Sequence, residues 1–170
     1  MQPIVIRTAT RPDIPAILEL LAQDSFSNPP EGGIADPHHY AAFEAIDADP
    51  NHELIVATLG ERVIGTLQIS FLPGLAFHGA WRAQIEGVRV QAGLRNLRIG
   101  TQLLEWVIAR ARERNCLLIQ LTSNRSRIDA QRFYARLGFK ASHVGMKLYL
   151  NATSDTSDKN ASPAAPERSV

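Results

Sequence analysis

A single α/β domain is what this sequence predicts, from three observations. Apolar, β-rich runs alternate with segments of helical period along the chain. A length of 170 residues leaves no room for a second core, and a hydrophobic content of 45 % suffices for one.

The elements follow in order. Ile4 to Thr8 reads as a strand, and Ile14, Ile17, Leu18 and Leu21 recur at helical spacing behind Pro12 and Asp13, residues suited to a first helical turn. Asp24 to Pro37 contains Asn28, Pro29, Pro30, Gly32 and Gly33 and is a loop by composition; His38 to Ala48 then forms a second short helix. Glu53 to Leu59 and Arg62 to Phe71 are β-rich runs parted by Gly60 and Glu61, the pattern of a tight hairpin. Pro73 and Gly74 stop the second run, and Arg82 to Val90 resumes as a third strand of a meander. From Ile99, the residues Leu103, Leu104, Val107, Ile108 and Ala111 share one face of a helix that ends near Arg114 and Asn115. A strand from Leu117 to Thr122 follows. Ser126, with Asp129 three residues on, resembles a capping box that opens a helix through Phe133 and Tyr134, stopping near Gly138. Phe139 to Ala141 and Val144 to Leu150 add two final strands, for the order β-α-α-β-β-β-α-β-α-β-β. The domain is thus expected over residues 1–150. Residues 151–170, rich in Ser, Ala, Asp, Pro and Thr, are expected to be a disordered tail.

Composition excludes several function classes. The formal net charge of +1 argues against a general nucleic-acid binder, for which a basic domain is expected. The charge is unevenly spread: eleven Arg, no Lys, three Glu and one Asp lie between Arg82 and Arg136, so that stretch carries +7 and the remainder −6. Such a local field attracts a small polyanion, although Arg on solvated helix faces accounts for part of it. Cys116 is the only cysteine, so no intramolecular disulfide is expected. The five His lack metal-ligand spacing, and no metal is expected. Arg7, Arg11, Pro12, Asp13 and Pro15 interrupt any apolar leader, and no run has the length of a membrane span, so a cytoplasmic protein is expected.

The stretch richest in chemistry is Ile85 to Leu104, an apolar strand followed by an Arg- and Gly-containing turn that opens an amphipathic helix. The first turn of a helix has N–H groups without internal partners and carries partial positive charge, so it is suited to phosphate. Arg95 and Arg98 add full charges beside it. About thirty residues on come a strand, Asn124, a helix with adjacent Phe133 and Tyr134, and Leu137-Gly138-Phe139.

Together the two segments resemble the GNAT superfamily of N-acetyltransferases, over roughly residues 4 to 150. Arg95-Asn96-Leu97-Arg98-Ile99-Gly100 matches the family's Q/R-x-x-G-x-G/A at its ends, and Ala130 to Phe139 matches A-x-x-F-Y-x-x-x-G-F throughout. The departure is Arg98 in the motif's first Gly position. The resemblance implies a mixed sheet that splays beside its central strand, and acetyl-CoA as cosubstrate. It further implies a pyrophosphate site at Arg95, Asn96, Arg98, Ile99, Gly100 and Thr101, and main-chain contacts from Val88 and Val90 to the pantetheine arm. Phe133 and Asn124 belong to the same cofactor site, Asn124 with turn initiation as its other reading. Tyr134 is the family-like acid for the departing thiolate.

Amines with pKa about 10.4 are only about one part in 10³ neutral at pH 7, so a proton acceptor is useful. Glu86, an acid in an otherwise apolar strand, is the candidate base, with a structural ion pair as the other reading. The expected reaction is direct attack by an amine in a ternary complex, the acceptor being a small molecule or a protein. The alternative is an inactive CoA-binding or partner-binding module of the same fold. No nucleic-acid or membrane partner is expected, and a homodimer is compatible with the sequence. The acceptor is expected between the Asp24 to Pro37 loop and the Leu72 to Trp81 segment.

Overall fold

The computed structural model describes residues 2–23, 35–94, 97–148 and 150. The chain divides into two units, 1–139 and 140–170. In the first, β1 (Ile4–Thr8) leads through a 3-10 turn (Arg11–Asp13) into α1 (Ile14–Ala22). Next come α2 (Pro37–Ala48), β2 (His52–Leu59), β3 (Arg62–Leu72), a one-turn helix α3 (Ala76–Gly79) and β4 (Trp81–Val90). The unit closes with α4 (Ile99–Glu113), β5 (Cys116–Leu121) and α5 (Ile128–Arg136). The sheet order is β1-β2-β3-β4-β5. The first four strands pair antiparallel and β5 joins β4 in parallel, which gives the expected mixed sheet.

Strand alternation decides how the layers stack. Ile55 and Ala57 of β2 join Leu67, Ile69, Phe71, Ala83 and Ile85 in a cluster under Ile99, Leu103, Leu104, Val107 and Ala111 of α4. Val56, between them, points the other way and packs with Val63 against Ile14, Ile17, Leu20 and Phe43 of α1 and α2. Successive residues therefore feed two cores on opposite faces. The α4 residues fall on one stripe because their spacing is helical, and each fully buried Leu or Val contributes roughly 1.5–3 kcal/mol. None of the described helices is long and apolar enough to cross a membrane.

Two arginines of the basic stretch fasten α4 to the start of β2. Arg110 grips Glu53 through Nε and Nη2, at 2.8–3.2 Å, and its guanidinium is held protonated by that carboxylate. Arg114 donates to the Pro50 carbonyl and Asn51 Oδ1 and lies over the Phe71 ring at 4.3 Å. Part of the local positive charge thus serves packing.

A half-buried ion pair fixes the entry to α1. Asp13 accepts from Arg7 at 2.7 and 2.8 Å and from the Thr10 N–H and hydroxyl. The Arg7 guanidinium holds the Asp13 carboxyl down at about 2. A carboxylate depressed in the folded state stabilises above its unfolded pKa of about 3.9, and that contribution is lost as pH falls toward 2. Acid titration of stability should therefore show about 2 kcal/mol lost between pH 4 and 2. Urea melts of Asp13→Asn should lack that step; an identical acid limb in the variant would assign the loss to other groups.

Two expectations need correction. Ser126 does not cap α5: Arg127 occupies the N-cap with no side-chain cap bond, and Ser126 instead donates its N–H and hydroxyl to Asn124 Oδ1 at 2.9 and 2.8 Å. The Asn side chain competes for the backbone here, forming its own turn. Nor do the final strands form among the described residues of the second unit. Val144, Met146 and Leu148 alternate with Gly145 and Lys147, the period of a strand, yet their side chains are 75, 94 and 86 % exposed. Period alone does not make a strand; a paired ladder and a covered face do. The tail expected over 151–170 lies outside the described residues.

Candidate active site

One extra residue in β4 shapes the site. Gln68 faces Glu86 and Thr66 faces Arg89, so Gly87 and Val88 together oppose Leu67. This is a β-bulge, and Gly87 supplies its left-handed conformation at φ +62. Without the bulge Glu86 and Arg89 would fall on opposite faces; with it both lie on the face that carries α1, while Val88 and Val90 pack toward the α4 core.

Beside the bulge the sheet opens. Pairing between β4 and β5 ends at Ile85 and Leu121, although β4 continues to Val90. The Gln91 N–H donates to Ile64 at 2.9 Å, so by alternation the main-chain groups of Val88 and Val90 face away from β3, into the side β5 has left. The Val88 carbonyl already accepts from Arg89 Nη1 at 2.9 Å. An extended chain bearing amides can pair along this edge as an added strand would.

The helix that follows presents its first turn at the end of β4. Arg98, in the motif's Gly position, takes the left-handed conformation (φ 58, ψ 18) and is exposed; its carbonyl accepts the first α4 bond, from Gln102. The glycine-type geometry of the turn is kept, at a strain cost of about 1–2 kcal/mol for an L residue. Ile99 is fully buried and anchors the turn, leaving the N–H groups of Ile99, Gly100 and Thr101 at a positive helix end. At Gly100 a Cβ would come 3.3 Å from Phe133 Cζ and 3.7 Å from Val90 Cγ2. Gly100 thus permits close packing of α4 on Phe133. Arg95 and Asn96 lie outside the described residues.

Tyr134 on α5 is buried, its ring 5.3 Å from Phe133 and 5.8 Å from Phe139. Burial pushes its phenol above the ordinary value, and the positive charges of Arg127 and Arg89 pull the other way. It therefore holds its proton at neutral pH and can give it up. Two of these neighbours, Arg89 and Arg127, were not singled out from the sequence, though a charge between two valines of an apolar strand was a legible signal at Arg89. Ser123 was also missed: its Oγ is buried without a hydrogen-bond partner. Nothing in its sequence context marks it.

Other expectations shift. Glu86 is exposed rather than buried in its strand. It alternates with buried Ile85, on a stretch of the sheet face left open to solvent. The oxygen of Asn124 is engaged in the turn with Ser126. The Leu72 to Trp81 segment, expected to border the acceptor, lies away from the open edge. Trp81 begins β4 and Val90 ends it, nine residues apart, which is about 30 Å along a strand. The β3–β4 connection, with Phe77 and His78 in left-handed conformations, is thus at the far end of the sheet. By contrast Gln23, just after α1, accepts from the Ala92 N–H at 3.2 Å, so α1 ends beside the open edge. In the Asp24 to Pro37 loop, Asp36 caps α2 through the His38 and His39 N–H groups, and residues 24–34 lie outside the described residues. Among the described residues no three His, Cys, Asp or Glu side chains converge as metal ligands would.

Comparison with known proteins agrees with this geometry. The Acetyltransferase (GNAT) family pattern matches residues 14–139. An aminoalkylphosphonate N-acetyltransferase of Salmonella typhimurium is 36 % identical over 101 residues, 59 % of this chain; the match spans 65 % of that protein's length. A solved structure described as a transcriptional regulator from Bacillus halodurans is 44 % identical with TM-score 0.81, covering 86 % of this chain and 99 % of that one. A putative acetyltransferase from Agrobacterium tumefaciens is 26 % identical with TM-score 0.77, covering 85 % and 99 %. A bulged, open-edged β4 feeding a Gly-containing helix turn, with a buried tyrosine on the next helix, thus coincides with a family match over most of the chain: the protein belongs to the GNAT acetyltransferase family.

Proposed function

We propose that this protein transfers an acetyl group from acetyl-CoA to a primary amine that also carries an acidic group, an aminoalkylphosphonate being the leading candidate. The observation that carries this reading is the buried, proton-holding Tyr134 beside the open β4 edge, with Arg89 and Arg127 close enough to act on its phenol. Arg–phosphonate contacts are charge-assisted and can be bidentate, and two guanidiniums suit a dianionic acceptor better than a neutral amine. The likeness to an aminoalkylphosphonate N-acetyltransferase supports the same acceptor class.

The chemistry assigned to the chain is direct attack in a ternary complex. The N–H groups of Ile99, Gly100 and Thr101 hold the pyrophosphate, and Val88 and Val90 align the pantetheine arm. Glu86, solvated, takes one proton from the acceptor ammonium through water, freeing the nitrogen lone pair. A C–N bond then forms at the thioester carbonyl, with the Val90 N–H stabilising the developing oxyanion. As the C–S bond breaks Tyr134 protonates the sulfur, and the second nitrogen proton returns to its phenolate. The products are the amide, free coenzyme A thiol and one solvent proton. Arg98, whose presence motivates the inactive-module alternative, adopts the conformation a glycine would, which supports a retained donor turn.

The test is thiol release from acetyl-CoA with 2-aminoethylphosphonate, β-alanine and ethylamine. The phosphonate should exceed ethylamine in kcat/KM by about tenfold or more, the worth of one charge-assisted contact. Equal turnover of the three would remove the acidic-acceptor reading, and no thiol release with any amine would count against the donor chemistry.

A further inference from the structure

Leu121 is the last β5 residue paired with β4, and its partner is Ile85. Ser123, two residues further, is therefore level with Gly87, at the point where the two chains part. Its Oγ is buried and has no hydrogen-bond partner. Neighbouring polar groups are satisfied locally: Asn124 Oδ1 takes both Ser126 donors, and Gln131 Nε2 donates to the Asn124 and Arg125 carbonyls at 3.0 Å. A buried hydroxyl left alone in so well-bonded a turn forfeits the bonds water would give it, and native structures leave few such groups without a reason.

The gap beside Ser123 has a one-sided chemistry. Val88 and Val90 offer main-chain groups from the β4 side, while β5 has ended and offers no strand ladder in return. An amide-bearing arm lying there needs a second partner from the β5 side. A hydroxyl both donates and accepts, so it suits either half of an amide. We infer that Ser123 is a binding residue for the acyl donor, its hydroxyl pairing with the pantetheine amide nearest the thioester. This rests on the acetyl-CoA reading above.

Because the hydroxyl is unpartnered without ligand and paired with it, its removal should have effects of opposite sign. Titration calorimetry of Ser123→Ala with acetyl-CoA should give affinity about three- to tenfold below wild type, the worth of one hydrogen bond. The melting temperature of the unliganded variant should be unchanged or higher. S-acetyl-N-acetylcysteamine, which retains only the thioester and that amide, should lose a similar factor in kcat/KM. Ser123→Thr, which keeps the hydroxyl, should bind acetyl-CoA more tightly than the Ala variant. Wild-type saturation together with Ala-variant affinity within twofold of it overturns the Ser123 assignment alone. So does an unliganded melting temperature that falls in step with affinity, since that marks a structural role. Absence of any saturable heat in wild type overturns the donor reading, and the Ser123 assignment with it.

Discussion

Replacing Tyr134 by Phe is expected to lower kcat about 10²-fold while leaving the KM for acetyl-CoA close to wild type, since a positioned acid typically contributes 10²–10⁴-fold. The lower end applies because a thiolate of pKa about 8.5 leaves fairly readily without help. The ring contacts to Phe133 and Phe139 survive the substitution, so the fold and the α4–α5 packing should too. The phenol sits above its ordinary value because it is buried, which keeps it protonated throughout the neutral range. The wild-type rate should consequently show no loss from Tyr134 ionisation between pH 6 and 9. Steady-state kinetics decide the matter: kcat within twofold of wild type would remove Tyr134 from the proton path.

Gly100→Glu should abolish measurable acetyl-CoA binding. Two effects act together. A Cβ at Gly100 meets Phe133 Cζ at 3.3 Å, and the carboxylate places negative charge where the pyrophosphate is to sit. At about 4 Å and an effective dielectric near 20, one such like-charge contact costs roughly 4 kcal/mol, about a thousandfold in affinity. Stability should change far less. An acidic residue is favourable in the first turn of a helix, and replacing Gly there gains backbone entropy that offsets the squeeze on Phe133. Calorimetry and thermal melts of the same sample separate the two effects; binding retained within tenfold would mean that the phosphate lies elsewhere.

The parts of the fold that depend on local signals were legible in the sequence. Gly60 and Glu61 mark the β2–β3 hairpin, and the spacing of Ile99, Leu103, Leu104, Val107 and Ala111 sets both the helix and its buried face. What depends on register was not. The bulge at Gly87 is a single added residue whose only trace is one glycine, yet it decides that Glu86 and Arg89 share a face. Glu86 looked buried because it lies among apolar neighbours, but strand alternation turns it away from Ile85 and toward solvent. Asn124 illustrates a choice that sequence leaves open, between ligand contact and turn, and here its oxygen serves the turn. The Leu72 to Trp81 segment, expected to border the acceptor, is at the opposite end of β4 from Val90, a separation set by strand length that composition does not mark. Ser123 could not be found from sequence at all, because only burial and a missing partner distinguish it.

Acetyl-CoA is expected across the first turn of α4 and in the gap where β4 and β5 part. A crystal structure of the protein with coenzyme A tests it most directly. The pyrophosphate is expected within hydrogen-bonding distance of the Ile99, Gly100 and Thr101 N–H groups, the arm along Val88 and Val90, and the sulfur near the Tyr134 hydroxyl. A coenzyme bound away from α4, or an arm that does not enter the gap between the two strands, would contradict it.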